Sequence, residues 1–177
     1  ANPDLEPPFL CLVISGGHSH IVEVRGYTDF HVVGRTRDDA AGEAYDKAAR
    51  AMGFPYPGGI EIDRAAQKGR PSYKLPRPSV EYHRYDMSFS GLKTAVLNLL
   101  NQTKQKGETL NREDLCASFQ LAVCDILSDR LMLVQEAVGS RCIVLAGGVS
   151  ANSGIRARIQ AECGERGLPL YMPPLCY

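Results

Sequence analysis

The stretch FLCLVISGGHSHIVEV, residues 9–24, decides the fold of this chain. An apolar run from Phe9 to Ser15 meets the pair Gly16-Gly17, and Ile21 to Val24 continues in the same style. Apolar runs of this length around a glycine pair predict two β-strands joined by a tight turn. Residues 30–33 predict a third strand, so the chain is expected to open with an antiparallel meander.

A second glycine pair lies in CIVLAGGVSAN, residues 142–152, between an apolar strand and a helix predicted from Asn152 to Gly167. Residues 168–172 predict a last short strand. Apolar periodicity predicts further helices at Asp38–Gly53, Ile60–Lys68, Leu92–Leu100 and Asn111–Gly139, with a turn at 56–59 and a loop at 104–107. This order predicts an α/β fold with a mixed sheet covered by helices.

Composition limits the functional classes. The 177 residues, 44% of them hydrophobic and 23% charged, suit one well-buried domain, and no apolar run has the length of a membrane span. The net charge of zero means that any contact with nucleic acid must come from a local patch. Six cysteines without a C-x-x-C pair predict reduced thiols in a cytoplasmic protein. A start without methionine and an end just after a strand lead us to expect a piece of a longer polypeptide.

The two glycine pairs carry the first functional hypothesis. Glycine lets backbone amides approach a ligand that a Cβ would exclude, and amides at a helix start favour anions. Two such loops far apart in the chain therefore suggest a cleft for a phosphate-bearing ligand. Each loop has a structural alternative, since a hairpin needs glycine in any case and helix–sheet packing often does. The second loop matches neither G-x-G-x-x-G nor the P-loop.

Several polar side chains accompany these loops. Asp46 lies in an acidic helical stripe that is by default a solvated face, and Asp63 follows Gly58-Gly59 by about one helical turn. Either carboxylate could bind a ligand hydroxyl, and Asn152 could cap a helix or contact a ligand. His18 and His20 share a strand face, which is weak support for a metal site. A protease using Ser15 and His18 lacks the G-x-S-x-G context.

The segment Arg64–Arg84 is basic and irregular. It holds six arginine and lysine residues against Glu81, with Tyr73 and Tyr82 between them. Cations interleaved with aromatic rings suit RNA, for which stacking and phosphate contacts dominate, whereas a solvated surface loop is the alternative.

Taken in order, five motifs resemble one known family. They are VISGGH (13–18), DDAAGEAYDK (38–47), YPGG (56–59), SFSGLKT (88–94) and AGGVSAN (146–152). The chain resembles the tRNA threonylcarbamoyladenosine synthases, TsaD-like proteins once described as O-sialoglycoprotein endopeptidases of the glycoprotease family. The five motifs are collinear and span nearly the whole chain, so together they are far more specific than any one of them.

The resemblance implies an actin-like ATPase (ASKHA, ribonuclease H-like) fold of two lobes, with residues 1–177 forming mostly the C-terminal lobe. It implies transfer of threonylcarbamoyl from threonylcarbamoyl-AMP to the exocyclic amine of the adenosine 3′ of the anticodon, in tRNAs that read ANN codons. Carried over position by position, it implies that an adenylate or ATP-type nucleotide is bound by Val13, Ile14, Ser15, Gly16, Gly17, Asp46, Gly59, Asp63 and Asn152.

The resemblance also implies groups that this sequence does not supply. The family's divalent metal, iron or zinc, is held by two histidines of an upstream H-x-x-x-H and by an aspartate beyond Tyr177, so we expect no metal ligands here and an inactive isolated fragment. Its expected protein partners are a TsaB-like paralogue and a TsaE-like ATPase. Two other hypotheses stay open: a small-molecule kinase or ATPase of the same fold, and a non-catalytic interaction module with an exposed apolar face on the helix Asn111–Gly139.

Overall fold

A five-stranded mixed sheet forms the centre of the structure, a computed structural model that describes residues 4–78 and 83–174. The strands lie in the order β3-β2-β1-β4-β5. Their bounds are β1 Phe9–Ile14, β2 Ser19–Gly26, β3 Asp29–Arg35, β4 Ile143–Ala146 and β5 Leu170–Tyr171. The first three strands pair antiparallel, as the sequence predicts, whereas β4 pairs parallel with both β1 and β5.

The parallel pairing of β1 with β4 positions the glycine loops. Val13 lies opposite Ala146 in the register, so the two strands end at the same edge of the sheet. Gly16-Gly17 follows β1 and Gly147-Gly148 follows β4. Two loops far apart in the chain therefore meet at the carboxyl ends of neighbouring parallel strands, where ligands of α/β proteins characteristically bind.

Five α-helices accompany the sheet in the described part of the chain. Their bounds are α1 Ala41–Ala51, α2 Gly58–Ala66, α3 Ser90–Lys106, α4 Arg112–Val138 and α5 Ser153–Glu165, with a short 3-10 turn at Gly148–Ala151. Between Leu115 and Ser128 helix α4 is buried almost all round, and only Leu121 is exposed there. The core joins α4 to inward-facing residues of β1 such as Leu10 and Leu12. This confirms the predicted mixed sheet with helices packed on it.

Burial of α4 bears on one alternative hypothesis. An interaction module would have been supported by an exposed apolar face on the helix Asn111–Gly139. Instead Leu115, Phe119 and Ile126 are buried in the core. The face on which that hypothesis depended is used internally.

The predicted bounds of α3 and α1 are wrong for identifiable reasons. Residues 104–106, predicted as a loop, continue α3, because lysine and glutamine favour helix and the first breaker is Gly107, at φ +68°. Helix α1 begins at Ala41 and not at Asp38. Asp38 instead accepts hydrogen bonds from the backbone of Phe89 and Ser90 at the start of α3.

The cysteines of the described residues agree with the expected reduced thiols. Cys11, Cys116, Cys124, Cys142 and Cys163 are all free. Burial raises the pKa of Cys11 to about 11 and that of Cys124 to about 12, so these thiols stay protonated near neutral pH. Within the same residues, none of the helices has both the length and the hydropathy to cross a bilayer.

Candidate functional site

A cavity of about 450 Å³ opens at the sheet edge where the glycine loops meet. Its volume lies in the usual range for small-molecule sites, and it combines apolar walls with a few polar groups. The lining residues come from both glycine loops and from α1 and α2: Gly16, Gly42, Tyr45, Asp46, Pro57, Gly59, Ile60, Asp63, Arg64, Gln67, Gly148, Val149, Ala151 and Asn152.

The structure brings five of the nine sequence-predicted binding residues to this cavity: Gly16, Asp46, Gly59, Asp63 and Asn152. The other four, Val13, Ile14, Ser15 and Gly17, are not among its lining residues. Ile14 is fully buried in β1, and Ser15 begins the turn that carries Gly16. These four stay predictions, and of them Ser15 makes hydrogen bonds that support the first glycine loop.

The first glycine loop is held by its own backbone and by α1. Ser15 N–H donates to the His18 carbonyl at 2.8 Å, and His18 N–H donates to Ser15 Oγ at 3.0 Å. Gly42 N–H donates to the Ser15 carbonyl at 3.2 Å, and a Cβ on Gly42 would lie only 2.7 Å from that oxygen. A Cβ on Gly16 would meet no atom within 4 Å, so its backbone is open to an approaching ligand.

The two glycines of the second loop do different work. Gly147 has φ +89°, and a Cβ there would lie 2.3 Å from the Ile14 carbonyl oxygen, so close contact with β1 requires glycine. Gly148 lines the cavity, and a Cβ there would meet nothing within 4 Å. Gly147 thus fixes the loop against the sheet, and Gly148 exposes its backbone to the cavity.

Asp46 ties α1 to the start of α2. Its Oδ1 accepts from the N–H of Gly58, the first residue of α2, at 2.8 Å. A Cβ on Gly58 would lie 2.2 Å from that of Ala49, so glycine lets the helices pack closely. The predicted turn at 56–59 therefore ends at Pro57, since Gly58 and Gly59 already belong to α2. A carboxylate at a helix N-terminus suits the helix dipole.

Asp63 has the same relation to α5. Its Oδ2 accepts from Ser153 N–H at 3.0 Å, and its Oδ1 accepts from Ser153 Oγ at 2.7 Å. Asn152 is the N-cap of α5, and its Oδ1 accepts from Ile155 N–H at 3.0 Å. Asp46, Asp63 and Asn152, which are all predicted to contact a ligand, thus also accept from backbone donors at a helix start.

His18 and His20 lie side by side, with ring centroids 5.5 Å apart. Partial burial, the neighbouring His18 and the charge of Arg35 lower the pKa of His20, in that order. Among residues 4–78 and 83–174, no three His, Cys, Asp or Glu side chains come close enough to hold a metal ion. The described residues therefore offer no site for the metal that the resemblance implies, whose expected ligands lie outside this chain, and we derive no chemical step through it.

Residues 70–77 of the basic segment predicted to meet RNA lie along α4. Tyr73 N–H donates to Ser118 Oγ at 3.0 Å, and Arg70 N–H donates to Asp114 Oδ1 at 2.8 Å. Arg77 pairs with the buried carboxylate of Asp125. Glu81 and Tyr82 lie outside the described residues. An irregular path is confirmed for 69–78, and part of its charge is used internally.

The chain is similar in sequence to a known family of tRNA-modifying enzymes. The sequence model of the tRNA N6-adenosine threonylcarbamoyltransferase family, TsaD, matches residues 1–177. A tRNA N6-adenosine threonylcarbamoyltransferase of Clostridium beijerinckii is 49% identical over 173 residues, 97% of this chain and 51% of the relative. The relative from Bacillus licheniformis is 50% identical, with the same two coverages. The chain belongs to this family. It spans about half the length of the curated relatives it matches.

Solved structures show the same fold at low identity. The chain resembles full-length HypF in its phosphate- and nucleotide-bound form, with a TM-score of 0.72 and 13% identity over 96% of this chain and 37% of HypF. It also resembles component A of the (R)-2-hydroxyglutaryl-CoA dehydratase of Acidaminococcus fermentans, with a TM-score of 0.55 and 19% identity over 98% of this chain and 57% of that one. These likenesses are consistent with the predicted actin-like ATPase-type fold.

Sequence reasoning missed part of the cavity. Gly42, Tyr45, Ile60 and Gln67 line it, although none of them was predicted as a site residue. Gly42 and Tyr45 lie in the DDAAGEAYDK motif, so that motif is the one signal that could have found them. Gln67 Nε2 donates to Ser153 Oγ at 3.0 Å across a long stretch of chain, and such a contact leaves no local pattern.

Proposed function

We propose that this chain forms the nucleotide-binding part of a tRNA-modifying acyltransferase. The enzyme would transfer threonylcarbamoyl from threonylcarbamoyl-AMP to the exocyclic amine of the adenosine 3′ of the anticodon, in tRNAs that read ANN codons. Family membership supports the reaction class. Because the chain spans about half of its relatives, activity, substrates and partners are proposed for the full-length protein.

One observation carries the proposal: glycine backbone and three polar side chains from distant segments converge on one cavity. Gly16 and Gly148 bring open backbone to it, and Asp46, Asp63 and Asn152 bring oxygen and nitrogen atoms. Exposed amides favour phosphate, carboxylates accept from ribose hydroxyls, and the apolar walls suit a base. A nucleotide such as AMP needs this combination.

Charge divides the cavity into two regions. Asp46 and Asp63 already neutralise the starts of α2 and α5, so a phosphate gains little there and would be repelled by both carboxylates. The cation in the lining, Arg64, pairs with Glu61 at 3.2 Å. We therefore assign the phosphate to the amides near Gly16 and Gly148, and the hydroxyls to Asp46 and Asp63. In this arrangement the anhydride bond of the acyl donor is oriented by backbone N–H groups, which also favour negative charge that develops during transfer.

The remaining assignments concern the full-length protein. We assign contact with tRNA to the basic segment Arg64–Arg84. A TsaB-like paralogue and a TsaE-like ATPase are the proposed protein partners, and a divalent metal, iron or zinc, is proposed on ligands outside this chain. A tRNA substrate and free cysteines support a cytoplasmic location.

A pair of glycine variants tests the function. Gly148→Leu should place a side chain in the cavity, and its Cβ would clash with no neighbouring atom. Gly164→Leu is the control, since it adds the same side chain at an equally open position in α5. In the full-length protein with its partners, we expect Gly148→Leu to lose transfer to an ANN-reading tRNA and Gly164→Leu to keep it. Wild-type protein that modifies no tRNA but phosphorylates a small acceptor from ATP would support the kinase alternative and contradict the proposal.

A further inference from the structure

Gln120 lies behind the cavity, on the buried helix α4. It is 8% exposed and does not line the cavity itself. Its side chain nevertheless contacts residues from three other parts of the wall. Its Nε2 donates to Asp63 Oδ1 at 3.1 Å, its Oε1 accepts from Asn152 Nδ2 at 3.0 Å, and Tyr45 OH makes a longer contact of 3.4 Å to the same Oε1.

The direction of every hydrogen bond in this group is fixed by chemistry. Ile155 N–H can only donate, so the Asn152 atom facing it must be the oxygen. The Asn152 amide nitrogen then faces Gln120, whose facing atom must be its oxygen. The Gln120 amide nitrogen consequently faces Asp63, a carboxylate that accepts. A side chain at position 120 must therefore accept at one end and donate at the other.

The same contacts restrict Asp63 and Asn152, two of the residues that we assign to the ligand. Asp63 accepts from Gln120 and twice from Ser153, so two of its bonds come from α5 and one from α4. Asn152 has its oxygen bound to α5 and its amide nitrogen bound to α4. A Cβ on Gly154 would lie 2.4 Å from Gln120 Nε2, so glycine lets the start of α5 pack directly on this amide.

We propose that Gln120 is a positioning residue that sets the orientation of the Asp63 carboxylate and the Asn152 amide for the bound nucleotide. This inference rests on the proposed function, because it takes an adenylate as the occupant of the cavity. It assigns a role in ligand binding to a residue that touches no ligand. A core glutamine that only satisfies buried polar atoms would contribute to stability and leave the affinity for nucleotide unchanged.

Replacement of the donating nitrogen by oxygen separates the two roles. In Gln120→Glu the introduced carboxyl can still accept from Asn152, but when ionised it cannot donate to Asp63 and repels it. Two carboxyls that share a site raise the pKa of one of them, so lowering the pH returns a proton and with it a donor. Burial raises the pKa of Tyr45 and brings that of Cys124 to about 12, so these neighbours stay neutral throughout.

The experiment measures the dissociation constant of AMP for the full-length protein between about pH 5 and pH 8, on either side of the histidine range. The quantity compared is the ratio of variant to wild type at each pH, so that the titration of AMP itself cancels. We expect Gln120→Glu to bind about tenfold more weakly at the alkaline end, as for an unsatisfied buried group, and to approach wild type at the acidic end.

Two further variants complete the design. Gln135→Glu changes another glutamine of α4, which donates to the Ser140 carbonyl away from the cavity, and we expect its ratio to stay near one. Gln120→Met keeps the size of the side chain and removes both polar ends, so its weaker binding should persist at every pH. It also serves as the test if Gln120→Glu does not fold.

The outcomes distinguish this inference from the proposed function. Wild-type protein that does not bind AMP contradicts the proposed function, and the role of Gln120 fails with it. Wild-type binding together with ratios near one for Gln120→Glu and Gln120→Met overturns the role of Gln120 alone. A ratio for Gln120→Glu that is raised equally at all pH values also overturns it, since the proton should restore the donor.

Discussion

At the scale of single residues, the polar groups of the cavity each support the fold, and we propose that they also contact the ligand. Asp46 accepts from Gly58 N–H through Oδ1, and no hydrogen bond within the described residues uses its Oδ2. Asp63 accepts three hydrogen bonds from the protein. A carboxylate has about four acceptor positions, so each keeps room for a ligand hydroxyl. A substitution that keeps the hydrogen bond to the helix start but weakens the bond to the ligand should therefore change the affinity for nucleotide and not the stability of the fold.

Asp46→Asn is such a substitution. The asparagine oxygen can still accept from Gly58 N–H, but the charge that strengthens a hydrogen bond from a ribose hydroxyl is lost. We expect AMP to bind about tenfold more weakly, with little change in the urea midpoint of unfolding.

Glu43→Gln is the matched control for Asp46→Asn. Glu43 lies on the same helix, pairs with Lys47 and is not a lining residue of the cavity. Its replacement should leave AMP affinity unchanged. Equal affinity in Asp46→Asn and wild type would show that Asp46 serves only the start of α2.

Part of the site could be predicted from the sequence because its residues lie in local motifs. The glycine pairs, Asp46, Asp63 and Asn152 are each recognisable from neighbours in the chain, and five of the predicted residues do line one cavity. Gln120 could not be found in this way. Its partner Asp63 lies 57 residues away, and a glutamine in the middle of an apolar helix carries no local signal of that contact.

At the scale of elements, the helices are joined by acidic side chains that reach from one element to the start of the next. Asp46 serves α2, Asp63 serves α5, and Asp38 serves α3. Prediction from sequence assigned Asp38 to its own neighbouring helix, because first-turn acidic residues usually act locally. Asp38 and Phe89 lie 51 residues apart, so local sequence patterns do not indicate their hydrogen bond.

Asp38→Ala should destabilise the protein in a pH-dependent way. Burial opposes ionisation of Asp38, but hydrogen bonds from Ser88, Phe89 and Ser90 outweigh it and hold its pKa below the usual value. A lowered pKa in the folded state means that this stabilisation is complete above the unfolded pKa of about 3.9 and is lost as the pH falls through the folded value. We expect a loss of about 1–2 kcal/mol in unfolding free energy near neutral pH, shrinking in acid.

Urea unfolding at several pH values measures this effect. Asp129→Ala, at an exposed position of α4, is the control and should change the unfolding free energy by less than about 0.5 kcal/mol. A deficit in Asp38→Ala that stays constant from neutral pH into acid would contradict the assigned bonds.

Gly42→Ala tests the contact between α1 and the first glycine loop. The added Cβ would lie 2.7 Å from the Ser15 carbonyl oxygen, 2.8 Å from Gly16 Cα and 2.9 Å from a Val149 methyl. Because two of these atoms are backbone, relief requires the loop to move. We expect a loss of about 1–3 kcal/mol in unfolding free energy and weaker AMP binding.

Gly164→Ala provides the comparison for Gly42→Ala. Its Cβ would meet nothing within 4 Å in helix α5, so the helix preference of alanine should stabilise the protein by about 0.5–1 kcal/mol. If thermal or urea unfolding ranks the stabilities of the two variants in the opposite order, Gly42 does not pack closely against the first glycine loop.

At the scale of the whole molecule, the site follows from sheet topology. Both glycine pairs follow strands that lie side by side and parallel, so they meet at one edge. The sequence predicts β1, β4 and the two glycine loops from local patterns, but pairing of β1 with β4 is a non-local event that periodicity does not encode. Family resemblance supplied the missing information, because it carries the fold as a unit.

We propose that the two glycine loops and the start of α2 surround a single nucleotide, and titration of isotope-labelled protein with AMP tests this most directly. We predict that the backbone amide signals of Gly16, Gly59, Gly148 and Asn152 shift together along one binding curve, while Gly107 and Gly139, at the ends of α3 and α4, stay unchanged. This proposal would be contradicted by shifts confined to one of the four residues, by separate binding curves for the two glycine loops, or by no shift at any of the four.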